Sequence, residues 1–280
     1  MDPPISLESR LSLLQGGQIP VLGLGVWQAG AGEATRAAVT WALAAGYRLI
    51  DTARMYGNER EVGEAIRASG VPREEVFVTT KLAGGDQGYE SALAAAQASL
   101  QRLDLGYIDL YLIHWPTATP PSRRLDSWRA LERLHAEGVC RAVGVSNYTV
   151  RHLEEIRSRF QLQPAVNQVE FHPFLYQRDL LEYCHRRQIQ VEAYSPLVHG
   201  RRLEDPRIRE VAAHHHRSPA QVLIRWGLQH GVVEIPKSSR QDRIVENSRV
   251  FDFELTPAEM SRLNALDEGF RTTMDPEEIT

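Results

Sequence analysis

The sequence is short of cysteine and of long apolar runs, and each shortage excludes a class of protein. Only two cysteines, Cys140 and Cys184, occur in 280 residues, which excludes a disulfide scaffold and predicts a reducing, cytoplasmic setting. No apolar run approaches the roughly 20 residues that span a bilayer, and residues 1–4 lack the basic and apolar regions of a signal peptide. The net charge of −4 argues against generic binding of nucleic acid, which needs a basic face. We therefore expect neither a membrane nor a nucleic acid as a partner.

Lysine is the other rare residue, and its scarcity indicates where it is needed. Of 32 basic residues, 30 are arginine, and only Lys81 and Lys237 are lysine. Such a chain uses arginine wherever any long cation is sufficient. Lysine is then expected where a compact ammonium must fit beside small groups that the wide guanidinium would crowd. Because both lysines follow predicted strands, we interpret them as functional residues.

Short β-rich runs alternate with amphipathic helical segments, such as residues 89–104, in which apolar side chains recur at helical spacing. The predicted strands are residues 21–26, 47–50, 76–80, 108–113, 142–145, 165–169, 190–194 and 232–235. Eight strands separated by helices predict an α/β fold, the (β/α)8 or TIM barrel, with extra helices near the C-terminus. A glycine turn at Gly16-Gly17 predicts a β-hairpin before the barrel. The unbroken pattern predicts a single domain over residues 1–280.

Function in such a barrel resides at the carboxyl ends of the strands. Asp51 directly follows the second predicted strand, Tyr56 comes five residues later, and Lys81 follows the third. A tyrosine near its ordinary pKa of about 10 is a poor acid at neutral pH, but a nearby cation favours the phenolate and makes it a better one. Lys81 can supply that cation, and Asp51 can pair with it. The strand ends also carry Trp27, His114, Trp115, Ser146, Asn147, Gln168, Tyr194, Ser195, Leu197, Lys237 and Ser238.

These motifs, in this order and spacing, resemble those of the aldo-keto reductase family. They are Gly23-Leu24-Gly25-Val26-Trp27, Asp51-Thr52-Ala53 with Tyr56, Thr80-Lys81-Leu82, Ile113-His114-Trp115-Pro116, Gly144-Val145-Ser146-Asn147, Asn167-Gln168, Ala193-Tyr194-Ser195-Pro196-Leu197, and Ile235-Pro236-Lys237-Ser238 followed by Arg243, Glu246 and Asn247. The compact loops are similar to those of the bacterial 2,5-diketo-D-gluconate reductases. The resemblance implies an NADPH-dependent reductase of aldehydes and ketones, and we expect it to be a monomer.

The resemblance also implies a role for each residue of the site. Tyr56 would be the general acid, Lys81 held by Asp51 would lower its pKa, and His114 would orient the carbonyl. Hydride would come from NADPH, since no side chain can supply one. The substrate pocket would be lined by Trp27, Tyr56, His114 and Trp115. In the coenzyme site, Tyr194 would stack on the nicotinamide ring, and its carboxamide would be bound by Ser146, Asn147 and Gln168. The pyrophosphate would lie against Ser195 and Leu197. The 2′-phosphate would be bound by Lys237, Ser238 and Arg243, and the adenine by Glu246 and Asn247.

One position departs from the family's pattern. Ala83 stands two residues after Lys81, where the family often has a tryptophan that lines the substrate pocket. Trp27 and Trp115 remain, so we expect a pocket that is aromatic on two sides and roomier on the third. This departure weakens any transfer of a relative's substrate to this chain.

Two other functions fit parts of the pattern. One is an NADP-binding regulatory or chaperone-like subunit with little turnover, but such a module has no use for an activated phenol. The other is a metal-dependent hydrolase, for which only His114 and Asp51 qualify as strand-end ligands. Residues 214–216 are three histidines, but adjacent helical side chains point about 100° apart. We interpret them as a helix surface and expect no metal.

Overall fold

The computed structural model describes residues 5–30, 32–117 and 120–279; residues 1–4, which carry no predicted signal peptide, lie outside these ranges. The strands are β1 Arg10–Ser12, β2 Gln18–Pro20, β3 Leu24–Gly25, β4 Leu49–Asp51, β5 Phe77–Leu82, β6 Ile108–Ile113, β7 Cys140–Ser146, β8 Val166–Glu170, β9 Gln190–Tyr194 and β10 Val233–Glu234. The helices are α1 Glu33–Ala44, α2 Glu59–Ala68, α3 Tyr89–Leu103, α4 Ser122–Ala136, α5 Val150–Arg157, α6 Arg178–Arg186, α7 Pro206–His214, α8 Pro219–Gln229, α9 Gln241–Ser248 and α10 Pro257–Asn264. Within the described ranges, no helix has both the length and the apolar character needed to cross a bilayer.

Strands β3 to β10 form one parallel sheet in which neighbours follow each other in chain order. The two outer strands, β3 and β10, also meet each other. Gly23 N donates to Glu234 O at 2.8 Å, and Glu234 N donates to Val21 O at 2.9 Å. Gly25 and Lys237 form a further parallel bridge. Because the sheet closes on itself and helices separate its strands, the predicted (β/α)8 barrel is confirmed.

The predicted N-terminal hairpin is also present, and it packs against the barrel interior. β1 and β2 pair antiparallel, and Leu13 and Ile19 join the cluster of apolar side chains inside the sheet. The side chain of Gln15 donates to Val143 O at 3.0 Å and to Gln163 O at 2.7 Å, and it accepts from Val143 N at 2.9 Å. The hairpin therefore closes the amino-terminal end of the barrel and leaves the carboxyl end open.

Side chains along each strand alternate between the barrel interior and the helical layer. Leu49 and Phe77 belong to the interior cluster, whereas Ile50 belongs to the cluster beneath the helices. Asp51 comes two residues after Leu49, and Lys81 comes four residues after Phe77. The period of two therefore directs both side chains into the barrel at its carboxyl end.

The helices after β9 show one agreement and one correction. α10 follows the last strand–helix unit, in agreement with the predicted extra helix near the C-terminus. α7, however, ends at His214, and His215 caps it while His216 adopts the left-handed conformation with φ of 53°. That conformation turns the chain towards α8. The interpretation of residues 214–216 as a helix surface therefore holds for His214, which is helical and exposed, but not for His215 and His216.

Gly63 in α2 provides a test of helix packing around the barrel. A methyl group there would lie 1.9 Å from the main-chain oxygen of Leu103, which already accepts a hydrogen bond from Arg67 Nη1 at 2.8 Å. Glycine to alanine in an open helix would stabilise the protein by about 1 kcal/mol. For Gly63→Ala we expect the opposite, a loss of about 1–3 kcal/mol in the free energy of unfolding, because the two helices must separate. Urea unfolding followed by circular dichroism measures this change.

Gly85→Ala is the matched control, since no atom lies within 4 Å of the added methyl group. Its unfolding midpoint should stay close to that of the unmodified protein. A Gly63→Ala variant as stable as this control would contradict the close approach of α2 to the end of α3.

Candidate active site

A cavity of about 770 Å³ lies at the carboxyl ends of the barrel strands. Its lining includes every residue predicted for the site except Lys81, which is completely buried. The residues predicted for catalysis, coenzyme and substrate therefore surround one continuous space. Their contacts determine what each can do there.

The ammonium group of Lys81 lies inside the barrel and is surrounded by oxygen atoms. Its Nζ donates to Asp51 Oδ1 at 2.6 Å and Oδ2 at 2.7 Å, to Thr52 O at 2.9 Å and to the Tyr56 hydroxyl at 3.3 Å. Burial favours the neutral amine, but Asp51 and Tyr56 outweigh it, so the pKa of Lys81 is raised. Lys81 is therefore a cation at neutral pH, and Asp51 compensates its charge.

Tyr56 ends a 3₁₀ turn, Arg54–Tyr56, which Gly57 terminates with φ of 69°. This turn brings the phenol to within hydrogen-bonding distance of Lys81. Burial raises the pKa of Tyr56, and Lys81 offsets only part of that effect, so the pKa lies above its ordinary value. The contribution of Lys81 thus has the expected sign, but burial outweighs it in the net shift. Tyr56 holds its proton at neutral pH, and Lys81 stabilises the phenolate once the proton has left.

His114 follows β6 and stands edge-on to Tyr56, with 5.7 Å between the ring centroids. Its main-chain oxygen accepts a hydrogen bond from Asn147 Nδ2 at 3.0 Å, which fixes the backbone at this point. Burial, with a smaller contribution from Lys81, lowers the pKa of His114 to about 3. The ring is therefore neutral at physiological pH, with one N–H donor and one acceptor nitrogen.

Polar residues of β7, β8 and β9, with Asn147 directly after β7, form a connected network beside His114. Ser146 Oγ donates to Gln168 O at 2.9 Å, and Asn147 Nδ2 donates to Ser146 Oγ at 3.1 Å. Tyr194 donates from its hydroxyl to Asn147 Oδ1 at 2.8 Å. Asn147 adopts a left-handed backbone conformation with φ of 62°, and such conformations concentrate at functional sites. These contacts order the residues that are predicted to bind the carboxamide.

Two cationic side chains that follow β10 in the sequence, Lys237 and Arg243, line the cavity. Lys237 and Arg243 are exposed, and in the described part of the chain neither forms an ion pair. Arg240, between them, is neutralised by Asp242 at 2.5 Å. Lys237 and Arg243 thus leave positive charge available to an anionic group in the cavity.

Comparison with known proteins agrees with the geometry of the site. The family model described as "Aldo/keto reductase family" matches residues 21–268. The chain belongs to the aldo/keto reductase family. It is similar to glyoxal reductase of Bacillus subtilis (strain 168), with 48% identity over 276 residues, 99% of each chain. It is also similar to the 9,11-endoperoxide prostaglandin H2 reductase of Trypanosoma cruzi (strain CL Brener), with 51% identity over 93% of this chain and 92% of the relative.

Among solved structures, the chain is similar to an aldo-keto reductase of Bombyx mori in complex with NADP. The two are 35% identical, with a TM-score of 0.90 over 98% of this chain and 97% of the other. The likeness in fold thus extends over nearly the whole of both chains.

Several residues around the cavity of this aldo/keto reductase were not predicted from its sequence. Met55, His199 and Thr273 line the cavity. The His199 ring lies 5.4 Å from the Trp27 ring, and the Thr273 hydroxyl lies 2.9 Å from the Tyr194 hydroxyl. Loops and the C-terminal segment supply these residues, and irregular segments have no periodicity that would reveal their position.

Glu192 was also missed, although the sequence carried a signal for it. It lies in β9 between Val191 and Ala193, and its exposed fraction is 0%. A carboxylate within an apolar strand is unusual, because burying a charge is costly unless it is paired or neutralised. Its parity along β9 places it inside the barrel with Gln168, which donates to its Oε2 at 2.8 Å.

Ala83 directly follows β5, two residues after Lys81. It is partly buried and leads into a 3₁₀ turn, Gly84–Asp86, and it is absent from the described lining of the cavity. Trp27 and Trp115 do line it. The expected extra room beside position 83 therefore stays a prediction.

His214 and His215 meet the same carboxylate. Glu259 accepts from His214 Nδ1 at 2.8 Å and lies 3.0 Å from His215 Nε2. The carboxylate also caps α10 by accepting from Thr256 N at 2.8 Å and Thr256 Oγ1 at 2.9 Å. These contacts join α7 to α10 and explain why His215 is not part of a solvated surface.

The lowered pKa of His114 gives a testable prediction. Because burial opposes the charged form, the His114 ring should stay neutral from pH 8 down to about pH 4, with the transition near its pKa of about 3. Two-dimensional NMR of protein labelled with ¹⁵N at histidine measures the charge state, and the spectrum of His114→Asn identifies the signal. A His114 signal that titrates between pH 6 and 7 would contradict the buried, neutral ring.

Proposed function

We propose that this chain is an NADPH-dependent reductase that converts aldehydes and ketones to alcohols. The observation that carries the proposal is the buried Lys81–Asp51 pair, whose ammonium also donates to the Tyr56 hydroxyl at 3.3 Å. A buried cation beside a phenol has a clear chemical use, which is to stabilise the phenolate formed by proton donation. Tyr56 lines the cavity in which a carbonyl compound would bind.

The cavity has groups suited to each part of NADPH. Lys237 and Arg243 provide free positive charge for the 2′-phosphate, with the Ser238 hydroxyl between them in sequence. Tyr194 offers an aromatic face to the nicotinamide, and Gln168 offers polar atoms to its carboxamide. The remaining assignments are Ser146 and Asn147 to the carboxamide, Ser195 and Leu197 to the pyrophosphate, and Glu246 and Asn247 to the adenine. NADPH supplies the hydride, because no side chain can do so.

The protein's own residues then manage the proton. His114 is neutral, so its N–H can donate to the carbonyl oxygen and orient it without competing as a strong acid. As negative charge develops on that oxygen, Tyr56 transfers its proton there, and Lys81 stabilises the phenolate. The raised pKa of Tyr56 keeps the proton in place until the oxyanion forms. Asp51 keeps Lys81 charged throughout.

The relatives suggest the range of substrates. By their names, one relative reduces glyoxal and another reduces the 9,11-endoperoxide of prostaglandin H2. We propose that Trp27, Trp115 and Met55 form an apolar surface for the groups beside the carbonyl. Because one chain supplies the whole site, we also propose a single-domain monomer. The free, buried thiols of Cys140 and Cys184 fit a cytoplasmic protein.

Tyr56→Phe tests the proposed acid. It removes only the phenolic hydroxyl, so we expect kcat to fall by about 10²–10⁴-fold while the Kd of NADPH changes less than a few-fold. Steady-state kinetics with a panel of aldehydes and ketones and fluorescence titration with NADPH measure the two quantities. Retention of one third of the activity would show that another group donates the proton. An unmodified protein that binds NADPH without turnover would favour a regulatory or chaperone-like subunit.

Arg243→Ala tests the choice of coenzyme. NADPH and NADH differ by the 2′-phosphate, and a charge-assisted hydrogen bond to it contributes about 1.5–3 kcal/mol. The KM for NADPH should therefore rise about tenfold or more, while the KM for NADH and kcat change little. Added salt should weaken NADPH binding more in the unmodified protein than in the variant.

Arg240→Ala is the matched control, because Asp242 already neutralises that arginine. Its effect on the KM for NADPH should be clearly smaller than that of Arg243→Ala. Equal increases in KM for the two coenzymes on removing Arg243 would place the selectivity elsewhere.

A further inference from the structure

Glu192 is a second carboxyl group inside the barrel, and the mechanism above does not use it. It is the register partner of Gln168 on the neighbouring strand. Gln168 Nε2 donates to Glu192 Oε2 and to Asp51 Oδ2, each at 2.8 Å. Glu192 Oε1 is buried without a hydrogen-bond partner among the described residues. Gln168 is thus held between two carboxyl groups.

We propose that Glu192 is a positioning residue: it carries a proton on Oε1 at neutral pH and fixes the Gln168 amide with its carbonyl oxygen free for the nicotinamide carboxamide. This inference rests on the proposed function as a reductase that uses a nicotinamide coenzyme. Its first part, the protonated state of Glu192, can be measured without any coenzyme.

The orientation of Gln168 follows from the chemistry of its amide. The NH2 group has two hydrogens, and Asp51 and Glu192 accept one each. Rotating the amide by 180° would place its oxygen against the Asp51 carboxylate, which has no hydrogen to donate, and this is unfavourable. Gln168 therefore keeps only its carbonyl oxygen for the cavity that it lines. That oxygen can accept from an N–H but cannot bind a carbonyl, so it selects one orientation of a carboxamide and, with it, one face of the ring.

The protonated state follows from charge balance in the barrel. Asp51 and Glu192 are two carboxyl groups, and Lys81 is one ammonium. If both carboxyls were ionised, one buried negative charge would have no partner, which is costly. Burial, and then the charge on Asp51, raise the pKa of Glu192 to about 8. Gln168 Nε2 donates its hydrogen bond to Glu192 Oε2, so Oε2 is the carbonyl oxygen of the neutral carboxyl group and the proton is on Oε1.

The neutral state also protects the acid–base pair nearby. The titratable groups that interact with Glu192 are Asp51 of β4, Tyr56 of the turn that follows β4, and Lys81 of β5. On the β10 side, the inward residues Val233 and Ile235 are apolar. Ionised Glu192 would raise the pKa of Tyr56 further and make it a weaker acid. A protonated Glu192 therefore holds Gln168 without this effect.

The variants Glu192→Gln and Glu192→Ala distinguish positioning from simple packing. Glutamine keeps a carbonyl for Gln168 and carries no charge, so the KM for NADPH should stay within about twofold. Alanine frees the Gln168 amide, and the KM should rise about fivefold to tenfold. Hydride transfer from NADPH deuterated on one or the other face should also lose selectivity in the alanine variant, which a purely structural role would not cause.

The pH profile and NMR complete the test. The kcat/KM of the unmodified protein should fall above about pH 8 as Glu192 ionises, whereas Glu192→Gln should retain activity at higher pH. In protein labelled with ¹³C at the glutamate carboxyl, the signal that Glu192→Gln removes should titrate near pH 8. These two measurements need no alanine variant, so they decide the matter even if that variant fails to fold.

Three results would overturn the inference. They are a Glu192 carboxyl already ionised at pH 6, a glutamine variant as impaired as the alanine variant, or an alanine variant with unchanged KM and facial selectivity. If the unmodified protein fails to oxidise NADPH with any carbonyl compound, the proposed function fails instead. The ¹³C titration still decides the protonation of Glu192 in that case.

Discussion

The structure depends on one buried ion pair, Lys81 with Asp51. A buried ammonium is stable only when a carboxylate and further hydrogen-bond acceptors surround it. Here the acceptors are the two Asp51 oxygens, Thr52 O and the Tyr56 hydroxyl. The turn that carries Tyr56 is thus held over the strand ends by the same cation that stabilises its phenolate. An arginine, planar and wider, could not enter this space, which explains why an arginine-rich chain retains a lysine at this position.

The barrel makes this burial possible. Alternation along β4 and β5 sends Asp51 and Lys81 inward, and the hairpin with Leu13 and Ile19 closes the end of the barrel behind them. Lys81 is completely buried there, and Asp51 is 3% exposed. In such an interior, electrostatic interactions are stronger than in water. The pKa of Tyr56 therefore depends on burial, which raises it, and on Lys81, which lowers it.

Most of the fold could be predicted from the regular spacing of apolar residues, and most of the site from the residues at the carboxyl ends of the predicted strands. The eight barrel strands and residues such as His114 and Gln168 followed from these two rules. The pKa of Tyr56 did not, because it depends on the depth of burial, which spacing along a chain does not report. His199 and Thr273 lie on irregular segments whose path is set by tertiary contacts. Glu192 could have been found from its charge within an apolar strand.

The hydrogen bonds that close the barrel between β3 and β10, here called the seam, have a consequence for how the chain folds. They join Val21 and Gly23 to Glu234, which lie near opposite ends of the sequence. Forming contacts between residues so far apart requires closing a very long loop, and such contacts slow folding. The seam should therefore form late, after the neighbouring strand–helix units have assembled. Until then the outer strands β3 and β10 present unpaired main-chain groups, which in a crowded solution are open to pairing with other chains.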